Sequence, residues 1–257
     1  MTVNKVYNES CIDTLSKLKN KEVGLTITSP PYNMNLRIKN GKYLSRTVTE
    51  HEFSTKYVDF DDCMPMDDFH DLHLSILKEL IRVSRTVFYN IQIVTGSKVA
   101  FFKMIGELSD CMKDIIIWDK EVSQPAMHSG VLNRQSELLL VFESPDSAIS
   151  REFGYCNFDR GTMNDVWRIK RDNHKKDSYH GATFPEALIS KIITNFSKLD
   201  DIIYDPYMGT GTTARVAILN NRQWLGSEIS KIYCDMIEKR VKDTMEDMEI
   251  RDSLFTF

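Results

Sequence analysis

No apolar run in this chain approaches the ~20 residues that a helix needs to cross a bilayer, so no membrane span is expected. The opening stretch, Met1 to Ser10, has no apolar core of the kind a secretory signal carries. Cysteine is sparse and scattered: the five residues at 11, 63, 111, 156 and 234 include no close pair. That argues against a disulfide framework or a zinc knuckle and fits a reducing cytoplasm. There is no surplus of positive charge either. The 33 Lys and Arg stand against 37 Asp and Glu, a net charge of −4, so any nucleic-acid contact must be a local surface. Internal repeats and low-complexity tracts are missing. His70, His73 and Asp67 make no closed ligand set, so no metal is expected, and the histidines read as polar positions on a helix over 68–83.

What is present is ordinary globular material, 42% hydrophobic and 27% charged over 257 residues, enough for a full core in one domain, 1–257. Short strands are expected at 5–8, 23–28, 86–91, 114–118, 137–142, 201–205 and 223–227. Helical spacing marks Cys11, Leu15 and Leu18. It also marks Phe69, Leu72, Ile76, Leu80 and Val83, with Asp67 or Asp68 as cap. Further helices are expected on Val99, Phe102, Ile105 and Leu108, on Leu188 to Phe196 with Pro185 at the first position, over 212–219, and from Ile229 to about Met248. Strands and helices alternate, which favours a largely parallel α/β sheet. Two stretches lack a period. Residues 33–66 are polar and irregular, and so long a loop is functional or mobile. Residues 144–182 are the second.

Thr28-Ser29-Pro30-Pro31-Tyr32 ends the apolar strand Val23 to Ile27 in a stiff turn. Proline fixes its own backbone and pushes the residue before it toward an extended shape, so the carbonyls of Ser29 and Pro30 are preset. Tyr32 offers a flat ring beside them. Rigid acceptors next to a stacking face suit a planar heterocycle with an amino group. Near the other end, Ile202-Ile203-Tyr204-Asp205-Pro206-Tyr207-Met208-Gly209-Thr210-Gly211-Thr212-Thr213 reads as strand, glycine turn and helix start. Glycines there let a ligand approach the backbone, and the helix N-terminus presents free N–H groups. Glu228 follows the next strand, where a carboxylate can take the two hydroxyls of a ribose. No lysine follows the glycines, so this is not a phosphate loop.

Together these segments resemble the β group of DNA amino-methyltransferases, which use S-adenosylmethionine to methylate adenine-N6 or cytosine-N4. The Pro-Pro-Tyr motif comes first and the glycine motif late. Gly226-Ser227-Glu228 with Tyr233 and Arg240, His180 to Pro185, Asp165-Val166-Trp167, and Ile115 to Lys120 with Glu137 also match. The resemblance implies a Rossmann-like seven-stranded methyltransferase sheet with helices on both faces, entered at a permuted point, with small recognition insertions. S-Adenosylmethionine would be held by Thr28, Ser10, Phe184, Pro185, Asp205, Tyr207, Gly209, Gly211, Thr212, Thr213 and Glu228. Ser10 stands where the family often has an aspartate, in Asn8-Glu9-Ser10-Cys11, and Tyr207 stands where phenylalanine is usual. Ser29, Pro30, Pro31 and Tyr32 would face the base.

Such a site would act on an amino nitrogen whose lone pair is spread into its ring. Ser29 and the Pro30 carbonyl, accepting its two N–H bonds, would draw that nitrogen toward a tetrahedral shape. The base must leave the duplex stack first, and stacking on Tyr32 would return about 1–3 kcal/mol. No metal and no Pro-Cys nucleophile are required. Serine in the first motif position is typical of the cytosine-N4 members. Double-stranded DNA is the expected partner, with phosphate contacts from Arg168, Lys170, Arg171, Lys175 and Lys176 in the 144–182 recognition insertion. Arg37, Lys39, Lys42 and Arg46 would contribute from the loop near the active site. With little room for recognition, the DNA site is short or a homodimer completes it. A cognate restriction endonuclease is the other candidate partner. Competing readings are a catalytically idle nucleic-acid-binding subunit and a protein glutamine methyltransferase, the latter disfavoured by motif order.

Overall fold

The computed structural model describes residues 1–33, 64–94, 96–124, 129–172 and 184–255, with backbone alone at 36–39, 42–45, 124 and 251–255. In chain order the elements are β1 (Lys5–Tyr7), α1 (Cys11–Lys17), β2 (Val23–Thr28), β3 (Leu36–Lys39), β4 (Lys42–Ser45), α2 (Met66–Val83), β5 (Ser84–Ile91) and α3 (Lys98–Glu107). Then follow β6 (Met112–Gln124), β7 (Arg134–Phe142), α4 (Pro145–Ala148), β8 (Val166–Arg168), α5 (Glu186–Phe196), β9 (Ile202–Asp205), α6 (Thr212–Leu219), β10 (Gln223–Ser227) and α7 (Lys231–Phe255).

One mixed sheet runs in the order β1-β10-β9-β2-β5-β7-β6-β8. The first five strands are parallel, β7 is antiparallel to both its neighbours, and β8 is parallel to β6. Successive residues point to opposite faces, and the two cores follow that alternation. Val87, Tyr89, Leu140, Phe142 and Tyr204 pack with α1, α2 and α3 on one side. Phe88, Leu139, Val141 and Ile203 pack with α5, α6 and α7 on the other. Each Leu, Ile or Phe buried this way contributes about 1.5–3 kcal/mol.

Beyond the seven expected strands, β8 extends the sheet by three residues. It is too short to show a period. Its anchor is Trp167, which is buried, takes the Lys191 ammonium over its ring at 4.5 Å and donates Nε1–H to the Asn164 carbonyl. The stretch read as irregular, 33–66, contains the β3–β4 hairpin, in which Lys39 pairs with Lys42. Most of that stretch lies outside the described residues, as does the mobility expected of it. In α3 the buried face is Ala100, Phe101 and Met104, with Leu108 just beyond, while Val99 and Phe102 are exposed. The expected stripe was therefore rotated: two apolar stripes overlap there, and packing chose the one carrying Phe101. Neither Asp67 nor Asp68 caps α2. Pro65 does, and the two aspartates lie in the first turn, where the helix dipole favours them. Pro185 likewise caps α5 rather than opening it. His70 and His73, read as polar positions on the helix that is α2, are buried.

The decisive consequence of strand order lies between β2 and β9. From β9 the chain proceeds to β10 on one side. From β2 it proceeds to β5 on the other. The two carboxyl ends therefore flank a topological switch point, where open α/β sheets bind ligands.

Candidate active site

Both sequence motifs emerge at that switch point. Thr28 ends β2 and Asp205 ends β9, and Thr28 Oγ1 donates to Asp205 Oδ1 at 3.0 Å. The Tyr207 amide donates to the same oxygen at 3.1 Å, and Thr213 Oγ1 donates to Oδ2 at 2.7 Å. Burial pushes the Asp205 carboxyl up to about 6, with the bonds from Thr213, Tyr207 and Thr28 pulling the other way. Asp205 therefore ties the two motifs together from beneath.

The glycine turn is shaped by two left-handed residues, Gly209 at φ +54° and Gly211 at φ +79°. Their surroundings differ. A Cβ on Gly209 would meet nothing nearer than the Tyr207 carbonyl oxygen at 3.9 Å, whereas one on Gly211 would press against Ile237 at 3.0 Å. Gly211 serves packing, and Gly209 keeps an open backbone approach. The Gly209 N–H donates to Glu228 Oε2 at 2.8 Å, and the Ser230 N–H donates to Oε1 at 2.9 Å. Glu228 is fixed in turn by Asn8, whose Nδ2 donates to the carbonyls of Glu228 and Ile229, each at 2.9 Å. From α7, Arg240 Nη1 donates to the Thr210 carbonyl and to Thr212 Oγ1, both at 3.0 Å. Gly226 has no room for a side chain, because Met208 fills the space where its Cβ would lie.

Thr28, Asp205, Tyr207, Gly209, Gly211, Thr212, Thr213 and Glu228 are thus brought together. Pro185 and Phe184 precede α5, which is joined to α6 by the Glu186–Arg215 ion pair at 2.8 Å. Ser10 caps α1, accepting from the Ile12 N–H at 3.3 Å. This donor set fits S-adenosylmethionine: an open glycine backbone beside a carboxylate suited to a diol, at the start of a helix.

On the β2 side the turn differs from the open face expected. Tyr32 is only 6% exposed and meets Phe101 edge-on, with ring centroids 6.4 Å apart. Its hydroxyl lies 2.6 Å from Ser29 Oγ and accepts from Asn90 Nδ2 at 2.6 Å. Asn90 Nδ2 also donates to Glu137 Oε2 at 2.7 Å. Lys120 Nζ donates to Glu137 Oε1 at 3.0 Å, and Arg171 Nη2 reaches the same oxygen at 3.4 Å. Burial pulls the Lys120 ammonium below its usual range, with Glu137 opposing. Sequence reading missed Asn90 and Lys120 as site residues and saw Glu137 only as part of a matching strand. No local signal set them apart, because β6 and β7 carry other charges, among them Asp114, Asp119, Glu121 and Arg134. Below the glycine turn, His73 Nδ1 lies 2.7 Å from the Tyr89 hydroxyl and its ring 6.3 Å from that of Tyr207. Burial pulls His73 down to about 3, so it is neutral.

The expected DNA contacts divide into four groups. Arg168 and Lys170 have largely exposed side chains, with Asp119 and Glu121 at 3.6 and 3.4 Å. Arg171 turns inward to Glu137. Arg37, Lys39 and Lys42 belong to the β3–β4 hairpin, and Arg46, Lys175 and Lys176 lie outside the described residues.

The family model N6_N4_Mtase, described as DNA methylase, matches residues 23–239. The Type II methyltransferase M.BglII of Bacillus subtilis is 25% identical over 91% of this chain and 68% of its own length. Over 95% of this chain and 78% of its own length, M.MthZI of Methanothermobacter thermautotrophicus is 27% identical. A shorter match, 44% identical over 89 residues, is to the orphan methyltransferase M.BamHII of Bacillus amyloliquefaciens. Among solved structures, the cytosine-N4-specific PvuII DNA methyltransferase superposes with a TM-score of 0.68 at 14% identity, covering 93% of this chain and 90% of that one. M1.HpyAVI, solved with S-adenosylmethionine, gives 0.60 at 18% identity, covering 92% and 98%. With the strand order, the linked motifs and the family match in agreement, the chain belongs to the DNA methylase family, the amino-methyltransferases that use S-adenosylmethionine.

Proposed function

We propose that this protein is a site-specific DNA methyltransferase that methylates the exocyclic amino group of a flipped base, with cytosine-N4 as the target. S-Adenosylmethionine, when bound, supplies an activated methyl group. Gly209 and Glu228 hold it, with the Thr212 helix start, Thr28 and Phe184 around it. Ser29 and the Pro30 carbonyl grip the amino group, and Tyr32 flanks the base. The observation that carries this reading is the Thr28–Asp205 hydrogen bond, because it joins the base-facing turn to the cofactor turn. Ser29 as the first motif residue supports cytosine over adenine.

Segment 144–182, with exposed Arg168 and Lys170, is read as the recognition insertion, and 33–66 as a loop beside the active site. Their small size supports a homodimer on the duplex. Similarity to the Type II methyltransferase M.BglII makes a cognate restriction endonuclease the other candidate partner. Nucleoside mass spectrometry on DNA from cells expressing the protein tests the target. N4-methylcytosine is expected. N6-methyladenine would move the assignment to the other base. No methylated base, together with no labelled methyl transfer in vitro, would leave an idle nucleic-acid-binding subunit.

A further inference from the structure

The groups beneath Ser29 form an unbroken polar chain that the grip on the base does not itself use. Lys120 and Glu137 are both buried, on neighbouring strands β6 and β7, and form an ion pair of 3.0 Å. Glu137 Oε1 faces Lys120 and Arg171, and Oε2 faces the Asn90 amide. A carboxylate only accepts, while a side-chain amide has one accepting and one donating end. The end of Asn90 turned to Glu137 must therefore be its NH2. Both N–H bonds are then committed, one to Glu137 at 2.7 Å and one to the Tyr32 hydroxyl at 2.6 Å. The cost is visible: Asn90 Oδ1 is buried and has no hydrogen-bond partner among the described residues. An amide free to choose would pair its oxygen. Here the carboxylate sets its direction, and through it the side on which Tyr32 accepts. The Tyr32 hydroxyl in turn lies 2.6 Å from Ser29 Oγ.

We propose that Glu137, braced by Lys120, is a positioning residue for methyl transfer, acting through Asn90 and Tyr32 to fix the hydroxyl of Ser29. This rests on the reading of Ser29 as the group that grips the base. A glutamine at 137 can offer Asn90 either end, so the amide is no longer forced into one direction. Ser29 is then held in more than one arrangement, and turnover falls while the cofactor site, on the other side of β2, is undisturbed.

The test uses the full chain, tritiated S-adenosylmethionine and bacteriophage lambda DNA. Glu137→Gln is expected to lower kcat at least tenfold, with the S-adenosylmethionine Kd by calorimetry within about twofold of wild type. The double variant Lys120→Met/Glu137→Gln, which leaves no unpaired buried charge, is expected to fall no further. Carbon-13 NMR of ζ-labelled tyrosine, with Tyr32 assigned from Tyr32→Phe, reads the relay without DNA. The Tyr32 resonance should move in both variants while that of Tyr204, bonded to Ser227 at 2.8 Å, stays. Turnover within twofold of wild type in both variants overturns the role. So does an unmoved Tyr32 resonance, or a loss of cofactor affinity in step with turnover, which would make the pair merely structural. A wild-type protein that methylates no DNA overturns the reading of the site itself and this role with it.

Discussion

Thr28 and Asp205 are separated by 177 residues of chain and joined by a hydrogen bond of 3.0 Å. Thr28→Val keeps the shape and removes the donor, leaving Asp205 Oδ1 with the Tyr207 amide alone. Bonds to charged groups are worth about 1.5–3 kcal/mol, so a loss of that size is expected in urea unfolding, together with weaker S-adenosylmethionine binding. Unchanged values for both would mean that the two motifs are held together by packing alone.

The Asp205 carboxyl also gives the protein a signature in pH. Its folded value, about 6, lies above its ordinary 3.8. Between those values the folded state holds a proton that the unfolded state has released, so this group's contribution to stability declines as pH rises from about 4 to about 6. Asp205→Asn escapes that decline. Its stability relative to wild type should climb across this window by on the order of 1 kcal/mol per pH unit. Urea midpoints at pH 4.5 and 7 check this, and a constant difference would refute it.

Gly209 and Gly211 look equivalent in sequence and should fail differently. Both substitutions strain a left-handed backbone, but Gly209→Val places its side chain in open space, so calorimetry should lose S-adenosylmethionine binding in a protein that melts above the Gly211 variant. Gly211→Val would drive into Ile237 and should first lower the melting temperature by several degrees. Equal effects of the two on affinity would contradict their assignment to different tasks.

Ser29→Ala should reduce methyl transfer about 100-fold, the scale for losing one preorganised polar contact, with little change in melting temperature. Tyr32 needs a gentler change. Because its ring is buried against Phe101, Tyr32→Ala would open a cavity and cost about 3 kcal/mol or more. Tyr32→Phe removes only the hydroxyl and should lower kcat with the fold intact. Labelled methyl transfer read beside a thermal melt separates the two effects.

Much of this frame is legible in the sequence. β2, α6 and β10 fall at the residues that their apolar runs and flanking glycines mark, because fully buried strands and a helix opened by glycine leave strong local signals. The glycine turn and the Glu228 carboxylate beside it are readable for the same reason. What escapes is whatever depends on partners distant in the chain. Phe101 and Phe102 both suit a helix, and only the packed sheet decides which goes inward. β8 exists because Trp167 has a slot to fill. The Asn90–Glu137–Lys120 group consists of single residues on three strands, and nothing local announces that they meet. The buried ring of Tyr32 follows from its packing on Phe101, another residue distant in the chain, so nothing near the Pro-Pro-Tyr run signals it.

Arg240 braces the glycine turn from α7, and this has a consequence for biogenesis. The chain leaves the ribosome in order, N-terminal residues first. The Pro-Pro-Tyr segment leaves the ribosome more than two hundred residues before this guanidinium does. The glycine turn therefore waits for this brace until long after the Pro-Pro-Tyr turn has been synthesised.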